Sequence, residues 1–297
     1  MSGGASPAAL QGPACALVPC SRYGIEILTD AYNQTRVDYL IPMPMNAERL
    51  REYIAIYDVD LDRSLVAVDG GRILGLGMLG LRPDRAWITR LGVLPTRRRR
   101  GVGETIVQAL LAEADAAGQG DVVLEVIVRN DPAHALFVKC GFVPRRELVV
   151  LRRPPMPPPC AAELDAAGAA VRWLAPAEAR RLAATGDPVR PWTNAAETLG
   201  HVPDVIGLRV DLTGTGAGWL ICRRQHYYLS HIVIHTESGD PRAVARVLLG
   251  ALHRAHPDLD THAENITSDD PHLAAFAAAG YIESFRRIEM VRRSETS

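Results

Sequence analysis

The hydrophobic pattern along the chain predicts helices and strands in alternation. Three segments carry apolar residues at helical spacing: 25–33, 47–57 and the stretch that begins at Val102. Four shorter runs have the apolar or alternating pattern of strands: 16–19, 63–68, 73–81 and 87–93. A nearly continuous apolar run over 122–128 predicts a further strand that is buried on both faces. Helices and strands in this order indicate an α/β fold.

The second half of the chain repeats features of the first half at a fixed distance. Three features correspond in order: Asp131-Pro132 to Asp270-Pro271, Phe137 to Phe276, and Gly141-Phe142 to Gly280-Tyr281. Their common offset, the difference between 280 and 141, is 139 residues, which is the size of one ordinary domain. Glu125 and Glu264 follow the same offset. Self-similarity at a fixed period predicts a tandem duplication.

A proline-rich segment separates the two halves. Residues 154–159 read Pro-Pro-Met-Pro-Pro-Pro, and proline favours a semi-rigid extended linker. We therefore expect four segments: a flexible N-terminus over 1–13, a first domain over 14–153, a Pro/Ala-rich linker over 154–168 and a second domain over 169–297.

Composition and charge exclude several classes of protein. The chain has 297 residues, 47% hydrophobic and 23% charged, so it is not a disordered protein. Its 33 basic and 34 acidic residues leave a net charge of -1, which provides no field for nucleic acid or an anionic membrane. No run approaches the roughly 18 apolar residues of a membrane span. We expect a cytoplasmic protein with neither nucleic-acid nor membrane partners.

The cysteines and histidines do not form a recognisable framework. Five cysteines are widely separated and lack a Cys-x-x-Cys pair: Cys15, Cys20, Cys140, Cys160 and Cys222. This spacing argues against disulfides and a zinc site, and favours a reducing compartment. His231 and His235 share a strand face, but four strand residues separate their backbones by roughly 13 Å. That distance is too long for adjacent ligands of one metal ion.

One segment concentrates positive charge between a predicted strand and a predicted helix. After the strand that ends near Val93, the chain runs through four arginines at 97–100 to Gly101 and Gly103. The first N–H groups of a helix lack intrahelical partners, its dipole adds partial positive charge, and glycine permits close approach of a phosphate. The segment therefore predicts an anion cradle. A solvated run of charge is the alternative on this segment alone.

Other anion motifs fit this segment less well. A Rossmann site would need a third glycine where Ile106 stands, and would need it directly after the strand. A P-loop needs Gly-Lys followed by Ser or Thr, and the only lysine of the chain is Lys139. A nucleic-acid site would interleave basic and aromatic residues, whereas the arginines form one isolated run.

Three motifs follow one another in the first half: Arg98-x-x-Gly101-x-Gly103, then Leu124-Glu125-Val126, then Asn130-x-x-Ala133-x-x-Leu136-Phe137-x-x-x-Gly141-Phe142. Together they resemble the GNAT superfamily of acyl-CoA-dependent N-acyltransferases, over roughly residues 14–153. The resemblance implies an α/β (α+β) fold with tandem GNAT-like domains, each a mixed, mostly antiparallel central sheet flanked by helices. It also implies acetyl-CoA as the cosubstrate and no metal.

The resemblance also assigns the coenzyme site. The implied cofactor-binding residues are Leu91, Val93, Arg98, Arg99, Arg100, Gly101, Val102, Gly103, Glu104, Thr105, Asn130 and Phe137. The backbone of Val93 would polarise the acyl carbonyl, as an N–H donor does for a tetrahedral intermediate. The superfamily splays its two central strands apart at this point, and a bulge would let the coenzyme enter between Val93 and Glu125.

Glu125 is the candidate general base. Peptide N-terminal acetyltransferases of the superfamily carry their base at this position, and an ammonium acceptor must lose a proton before it attacks. A structural pairing of Glu125 with an arginine is the open alternative. Phe137 departs from the superfamily, which commonly has here a tyrosine that protonates the leaving thiolate. Tyr32 or Tyr39 could replace that donor, or the thiolate leaves unassisted.

The second half is expected to be a degenerate copy. The segment before its helix lacks Gly-x-Gly and carries Glu237 and Asp240 where phosphates would lie, so these acids would repel a pyrophosphate. Asp269 takes the place of Asn130. Trp192 is expected either in the acceptor pocket or in the core.

The resemblance implies an N-acetyltransferase that acts on a primary amine of a small molecule or peptide. It is also compatible with a homodimer. The alternatives are a non-catalytic acyl-CoA-binding or regulatory protein, and an acetyltransferase similar to mycothiol synthase.

Overall fold

The computed structural model of the protein describes residues 15–157, 169–185 and 189–293. The chain forms two compact units. Over the described residues, the first unit comprises 15–124, 132–143 and 291–293, and the second unit comprises 125–131, 144–157, 169–185 and 189–290. The predicted flexible N-terminus and most of the predicted linker lie outside the described residues. The domain bounds expected from the sequence therefore stay a prediction.

Helices and strands alternate along most of the described chain. The α-helices are α1 (Ile25–Thr35), α2 (Ala47–Ile56), α3 (Val102–Ala116), α4 (Asp131–Lys139), α5 (Pro176–Ala184), α6 (Ala196–His201), α7 (Pro241–Ala255) and α8 (Leu273–Ala278). The strands are β1 (Ala16–Pro19), β2 (Val59–Asp69), β3 (Arg72–Arg82), β4 (Arg85–Val93), β5 (Asp121–Ile127), β6 (Val143–Arg153), β7 (Ala169–Leu174), β8 (Val205–Leu212), β9 (Gly216–Arg224), β10 (Tyr228–Gly239), β11 (Asp260–Thr267) and β12 (Ile282–Arg293). The predicted elements of the first half are all present, with ends that differ by a few residues.

In the first unit, β1 to β4 and the first part of β5, up to Leu124, lie side by side in chain order. Their pairings are antiparallel except for β4 with β5, which is parallel. Leu76 and Met78 of β3 lie in the core beneath α1 and α2. Gly77 faces the other way, because a Cβ there would lie 2.8 Å from both Ile106 and Leu110 of α3. Helices therefore cover both faces of this sheet, and the sheet places β4 next to α1.

In the second unit, the strand order is β12, β6, β11, β10, β9, β8 and β7. The helix α7 packs on this sheet through Val244, Leu248 and Leu252, which belong to the buried core. The strand β6, which the sequence assigns to the first domain, pairs antiparallel with β11 and opposes Leu151 to Ala263. Most of β6 therefore belongs to the second unit.

The two units carry the predicted repeat. Both α3 and α7 have 15 residues, and they begin at residues 102 and 241, an offset of 139 residues. Gly141 and Gly280, which follow α4 and α8, both have φ +89°. In each copy the next residue donates its N–H to a phenylalanine carbonyl, at 3.0 Å for Phe142 and 3.1 Å for Tyr281. These matches confirm the tandem architecture.

Two general features bear on function. None of the described helices is long and apolar enough to cross a membrane. Over the same residues, no group of three or more His, Cys, Asp or Glu side chains could hold a metal ion.

Candidate functional site

A bulge interrupts β4 near its end. The register with β3 shifts between the pairs Met78–Thr89 and Leu76–Gly92, so Arg90 and Leu91 together oppose one residue of β3. Arg90 has φ +53°, an unusual value for a residue with a side chain. The pairing of β4 with β5 covers 85–87 opposite 121–123, whereas β4 continues to residue 93. The bulge expected from the superfamily resemblance is therefore present.

The chain turns from β4 into α3 through left-handed backbone. Arg99 has φ +60° and Gly101 has φ +80°. Gly101 is the N-cap of α3 and makes no side-chain capping bond. The N–H of Thr105 donates to the carbonyl of Gly101 at 3.0 Å, so the N–H groups that precede it point out of the helix end. With the helix dipole, this open end has the donors and the partial positive charge that suit an anion.

Gly103 brings α3 close to its neighbours. A Cβ at this position would lie 3.3 Å from Cδ2 of Leu136 and 3.5 Å from Cγ2 of Val93. The first turn of α3 therefore packs against α4 and the end of β4 within the first unit.

Arg98 is held by protein groups. Its Nη1 and Nη2 donate to the carboxylate of Asp38 at 2.8 Å and 2.7 Å, Nη2 donates to the carbonyl of Thr35 at 2.9 Å, and Nε donates to that of Val93 at 3.1 Å. These bonds lower the pKa of Asp38. The side chain thus ties the loop to α1 and β4, while Arg99 and Arg100 are exposed.

The acidic residue in the first turn of α3 is neutralised. Nζ of Lys139 donates to Glu104 at 2.6 Å. The hydroxyl of Thr105 donates to the carbonyl of Gly101 at 3.2 Å. The carboxylate of Glu104 is thereby paired with a cation at the end of α3, where it would otherwise oppose an anion.

The remaining predicted site residues lie on β4, β5 and α4. The carbonyl of Leu91 accepts a hydrogen bond from Arg36 at 3.2 Å. Glu125 is partly exposed on β5, with a buried Oε1, and Asn130 follows that strand with its N–H bonded to the carbonyl of Ile127. Phe137 is buried and lies edge-on to Phe142, with ring centroids 6.0 Å apart. Their catalytic and binding roles stay predictions.

Several other side chains singled out in the sequence are buried. Tyr32 is fully buried, and its hydroxyl oxygen accepts a hydrogen bond from Arg90 at 2.9 Å. Trp192 is 1% exposed, which favours a core position for that tryptophan. Burial raises the pKa of the Cys140 thiol, which disfavours the reactive thiolate.

The corresponding helix end in the second unit is filled by the protein itself. Asp240 is the N-cap of α7, and its carboxylate accepts the N–H groups of Arg242 at 3.2 Å and Ala243 at 3.3 Å. The carboxylate of Glu237 binds both Nη atoms of Arg209 at 2.6 Å. The sequence predicts that these two acids repel a pyrophosphate; in the structure the charge of Glu237 is paired with that of Arg209. The carboxylate of Asp240 instead occupies the donors that an anion would use.

In the first unit, a bulged strand thus leads through a glycine-containing loop into a helix end that no side chain caps. Residues 27–142 match the model of the acetyltransferase (GNAT) family. The segment that matches this family lies in the first half of the chain, and the chain as a whole has the fold of tandem GNAT structures. No curated protein sequence matches the chain significantly.

Solved structures share this fold at low sequence identity. A tandem GNAT protein from the clavulanic acid biosynthesis pathway is 16% identical, with a TM-score of 0.66 over 95% of this chain and 99% of that chain. A GCN5-related N-acetyltransferase from Sphaerobacter thermophilus is 14% identical, with a TM-score of 0.69 over 95% and 97%. A fungal GCN5-related glucosamine N-acetyltransferase region is 14% identical, with a TM-score of 0.72 over 94% of this chain and 38% of that chain.

Proposed function

We propose that the protein is an N-acetyltransferase that transfers an acetyl group from acetyl-CoA to a primary amine of a small molecule or peptide. The observation that carries this proposal is the contrast between the two helix ends. The N-cap of α3 is Gly101, which has no side chain that could accept from the first N–H groups. The N-cap of α7 is Asp240, whose carboxylate accepts from the N–H groups of Arg242 and Ala243. The pyrophosphate of the coenzyme would take at α3 the place that a carboxylate takes at α7.

The chain's own groups fit a pyrophosphate at α3. The backbone N–H groups of Val102, Gly103 and Glu104 belong to the first turn, where intrahelical acceptors are lacking. Arg99 and Arg100 are exposed beside them and can add charge-assisted hydrogen bonds to phosphate oxygens. Arg98 acts differently: because it is bound to Asp38, it holds the loop in place for the other donors.

Acetyl transfer would proceed by attack of the neutral amine on the acyl carbonyl carbon. The new C–N bond forms as the carbonyl electrons move to oxygen, and the C–S bond then breaks to release the coenzyme thiolate. The backbone N–H of Val93 is proposed to donate to the carbonyl oxygen and stabilise its negative charge. The amine must lose one proton, and the released thiolate can take one up.

Glu125 is the proposed acceptor of the amine's proton. It is the single carboxylate within the otherwise apolar interior of β5. A charged group in such surroundings costs free energy, and a function in catalysis would explain why it is there. Phe137 has no hydroxyl to donate to the thiolate, so the thiolate leaves without assistance from that position.

A non-catalytic acyl-CoA-binding protein is the second candidate. The observation that favours it is the burial of Phe137 against Phe142, because this phenylalanine replaces the usual tyrosine. The two candidates share the coenzyme site and differ in turnover.

Release of free thiol from acetyl-CoA distinguishes the two candidates. A panel of primary amines is incubated with the protein and acetyl-CoA, and the thiol is measured colorimetrically, with acylated product checked by mass spectrometry. We expect amine-dependent release with at least one acceptor. If the protein binds the coenzyme but no amine in the panel causes thiol release, the acetyltransferase is excluded and the acyl-CoA-binding protein is favoured.

A further inference from the structure

Two arginines of the first unit lie against tyrosine rings. The Cζ atoms of Arg36 and Arg90 are 4.8 Å and 5.3 Å from the centroid of the Tyr32 ring. Arg36 also lies 4.2 Å from the ring of Tyr39, and Arg90 lies 4.0 Å from the ring of Tyr53. We call these five residues the arginine–tyrosine cluster. It is formed by α1, α2, the bulge of β4 and the segment that follows α1.

The two guanidinium groups use few of their donors. Nη1 of Arg90 donates to the Tyr32 hydroxyl at 2.9 Å, and Nη2 of Arg36 donates to the carbonyl of Leu91 at 3.2 Å. The Nε atoms of both arginines are buried and have no hydrogen-bond partner within the described chain. A guanidinium has five N–H donors, so both groups retain donors for a ligand. Both residues belong to the partly exposed class.

The charge of the cluster is not balanced by the protein. Four other arginines of the first unit pair with carboxylates: Arg51 with Glu26, Arg63 with Glu113, Arg82 with Asp58 and Arg98 with Asp38. No ion pair joins Arg36 or Arg90 to an acid over the residues that the structure describes. Desolvated positive charge is costly, and stacking on tyrosine rings offsets only part of that cost. A bound anion would supply the missing charge.

The cluster adjoins the strand that is proposed to hold the acyl carbonyl. Arg90 and Leu91 form the bulge of β4, and Val93 follows within the same strand. Three residues of extended chain span about 10 Å. A small molecule of ordinary length could therefore reach from the cluster to the acetyl group.

We infer that the amine acceptor carries a carboxylate, which Arg36 and Arg90 bind while the tyrosine rings pack against the rest of the molecule. This inference rests on the proposed function and specifies its substrate class as amino carboxylates. Guanidinium groups match carboxylates in charge and geometry, and tyrosines provide apolar faces beside them. Since phosphate offers guanidinium the same oxyanion chemistry, the test includes it as a separate arm.

Matched acceptor pairs test the inference. Lysine is compared with cadaverine, ornithine with putrescine, and phenylalanine with phenethylamine, so that each pair differs in one carboxylate. Phosphoethanolamine and ethanolamine form the phosphate arm. Two quantities are measured: kcat/KM for thiol release, and affinity for the coenzyme A-loaded protein by calorimetry. We expect the carboxylate member of at least one pair to exceed its partner by about 10- to 100-fold, as a charge-assisted hydrogen bond provides.

Substitution of the arginines locates the preference. Arg90→Gln and Arg36→Gln each remove one guanidinium and are expected to reduce the carboxylate preference to about threefold or less, without changing affinity for coenzyme A. Arg51→Gln, which removes an exposed arginine paired with Glu26, is the matched control and is expected to keep the preference. If Arg90→Gln does not fold, Arg36→Gln carries the test, because Arg36 lies outside the strained bulge.

The outcomes separate this inference from the proposed function. Turnover that is equal for both members of every pair would overturn the inference and leave the acetyltransferase intact. A binding preference for carboxylates without thiol release would support the carboxylate site at Arg36 and Arg90 and overturn the acetyltransferase. A preference for phosphoethanolamine alone, or one that survives both arginine substitutions, would also overturn the carboxylate site.

Discussion

At the scale of single residues, corresponding positions of the two copies differ in residue type or in surroundings. Gly101 leaves the end of α3 open, whereas Asp240 closes the end of α7 with its own carboxylate. Glu125 lies partly exposed on β5, whereas Glu264 is exposed on β11 and pairs with Arg287 at 3.0 Å. A substitution at the position in the first copy can therefore be compared with the same kind of substitution at the corresponding position in the second copy.

Substitution of Glu125 tests the proposed base. We expect Glu125→Gln to slow acetyl transfer by about 10²-fold at neutral pH, because an amide cannot take the amine's proton. Affinity for coenzyme A should not change. Initial rates of thiol release and calorimetric titration measure the two quantities.

The control for that variant is Glu264→Gln, which removes the corresponding carboxylate of the second copy and should keep the wild-type rate. Unchanged turnover in Glu125→Gln would exclude this residue from the mechanism. An equal loss in both variants would point to a general electrostatic effect instead.

At the scale of elements, the ends of helices show both the repeat and its divergence. The helices α4 and α8 end at glycines with the same φ, +89°, so the backbone of the repeat is kept there. The helices α3 and α7 have equal lengths but different caps. The strand β10 runs to Gly239, next to the cap of α7, whereas β4 stops at Val93 and a loop precedes α3. The two copies thus have the same types of element, but they differ in the segment between strand and helix that would bind phosphate.

The paired glycines predict unequal costs of adding a methyl group. A left-handed conformation costs a residue with a Cβ about 1–2 kcal/mol, and Gly141→Ala should lower the free energy of unfolding by that amount. Gly280→Ala should cost more, because its Cβ would lie 2.7 Å from Sδ of Met156, whereas the nearest atom to a Cβ at Gly141 is 3.6 Å away. Urea denaturation of both variants measures the difference. A larger loss for Gly141→Ala would contradict this difference in packing.

At the scale of the whole molecule, the repeat and the loop before α3 could be predicted from the sequence, while long-range pairings could not. The glycines at 101 and 103 and the offset of 139 residues are local or periodic signals. The pairing of β6 with β11 carries no such signal, because strand partners are chosen by the whole fold. Arg36 and Arg90 meet at Tyr32 although 54 positions separate them in the sequence, so no spacing rule identifies them.

A buried histidine makes the stability of the molecule depend on pH. His253 is fully buried and its Nε2 lies 3.0 Å from the Tyr281 hydroxyl, and burial lowers its pKa to about 3. The unfolded chain binds a proton near the ordinary value of 6.5, whereas the folded chain does so only near 3. The stabilising contribution is therefore complete above pH 6.5 and is lost as the pH falls from there toward 3.

This linkage predicts a loss of about 2 kcal/mol in the free energy of unfolding between about pH 7.5 and pH 5 from this residue. The variant His253→Gln should show a correspondingly weaker pH dependence in urea denaturation, whatever its stability at neutral pH. His201→Gln, at an exposed position, is the control. An unaltered pH dependence in His253→Gln would contradict this assignment.

Calorimetric titration with coenzyme A determines whether the first copy alone holds the coenzyme. We predict one equivalent per chain for the wild-type protein and for Asp240→Ala, and no measurable binding for Gly103→Asp, whose carboxylate would repel the pyrophosphate. Gly103→Ala, which adds the same Cβ without charge, should bind far more tightly than Gly103→Asp. Two equivalents in the wild-type protein, or wild-type affinity in Gly103→Asp, would contradict a single coenzyme site at α3.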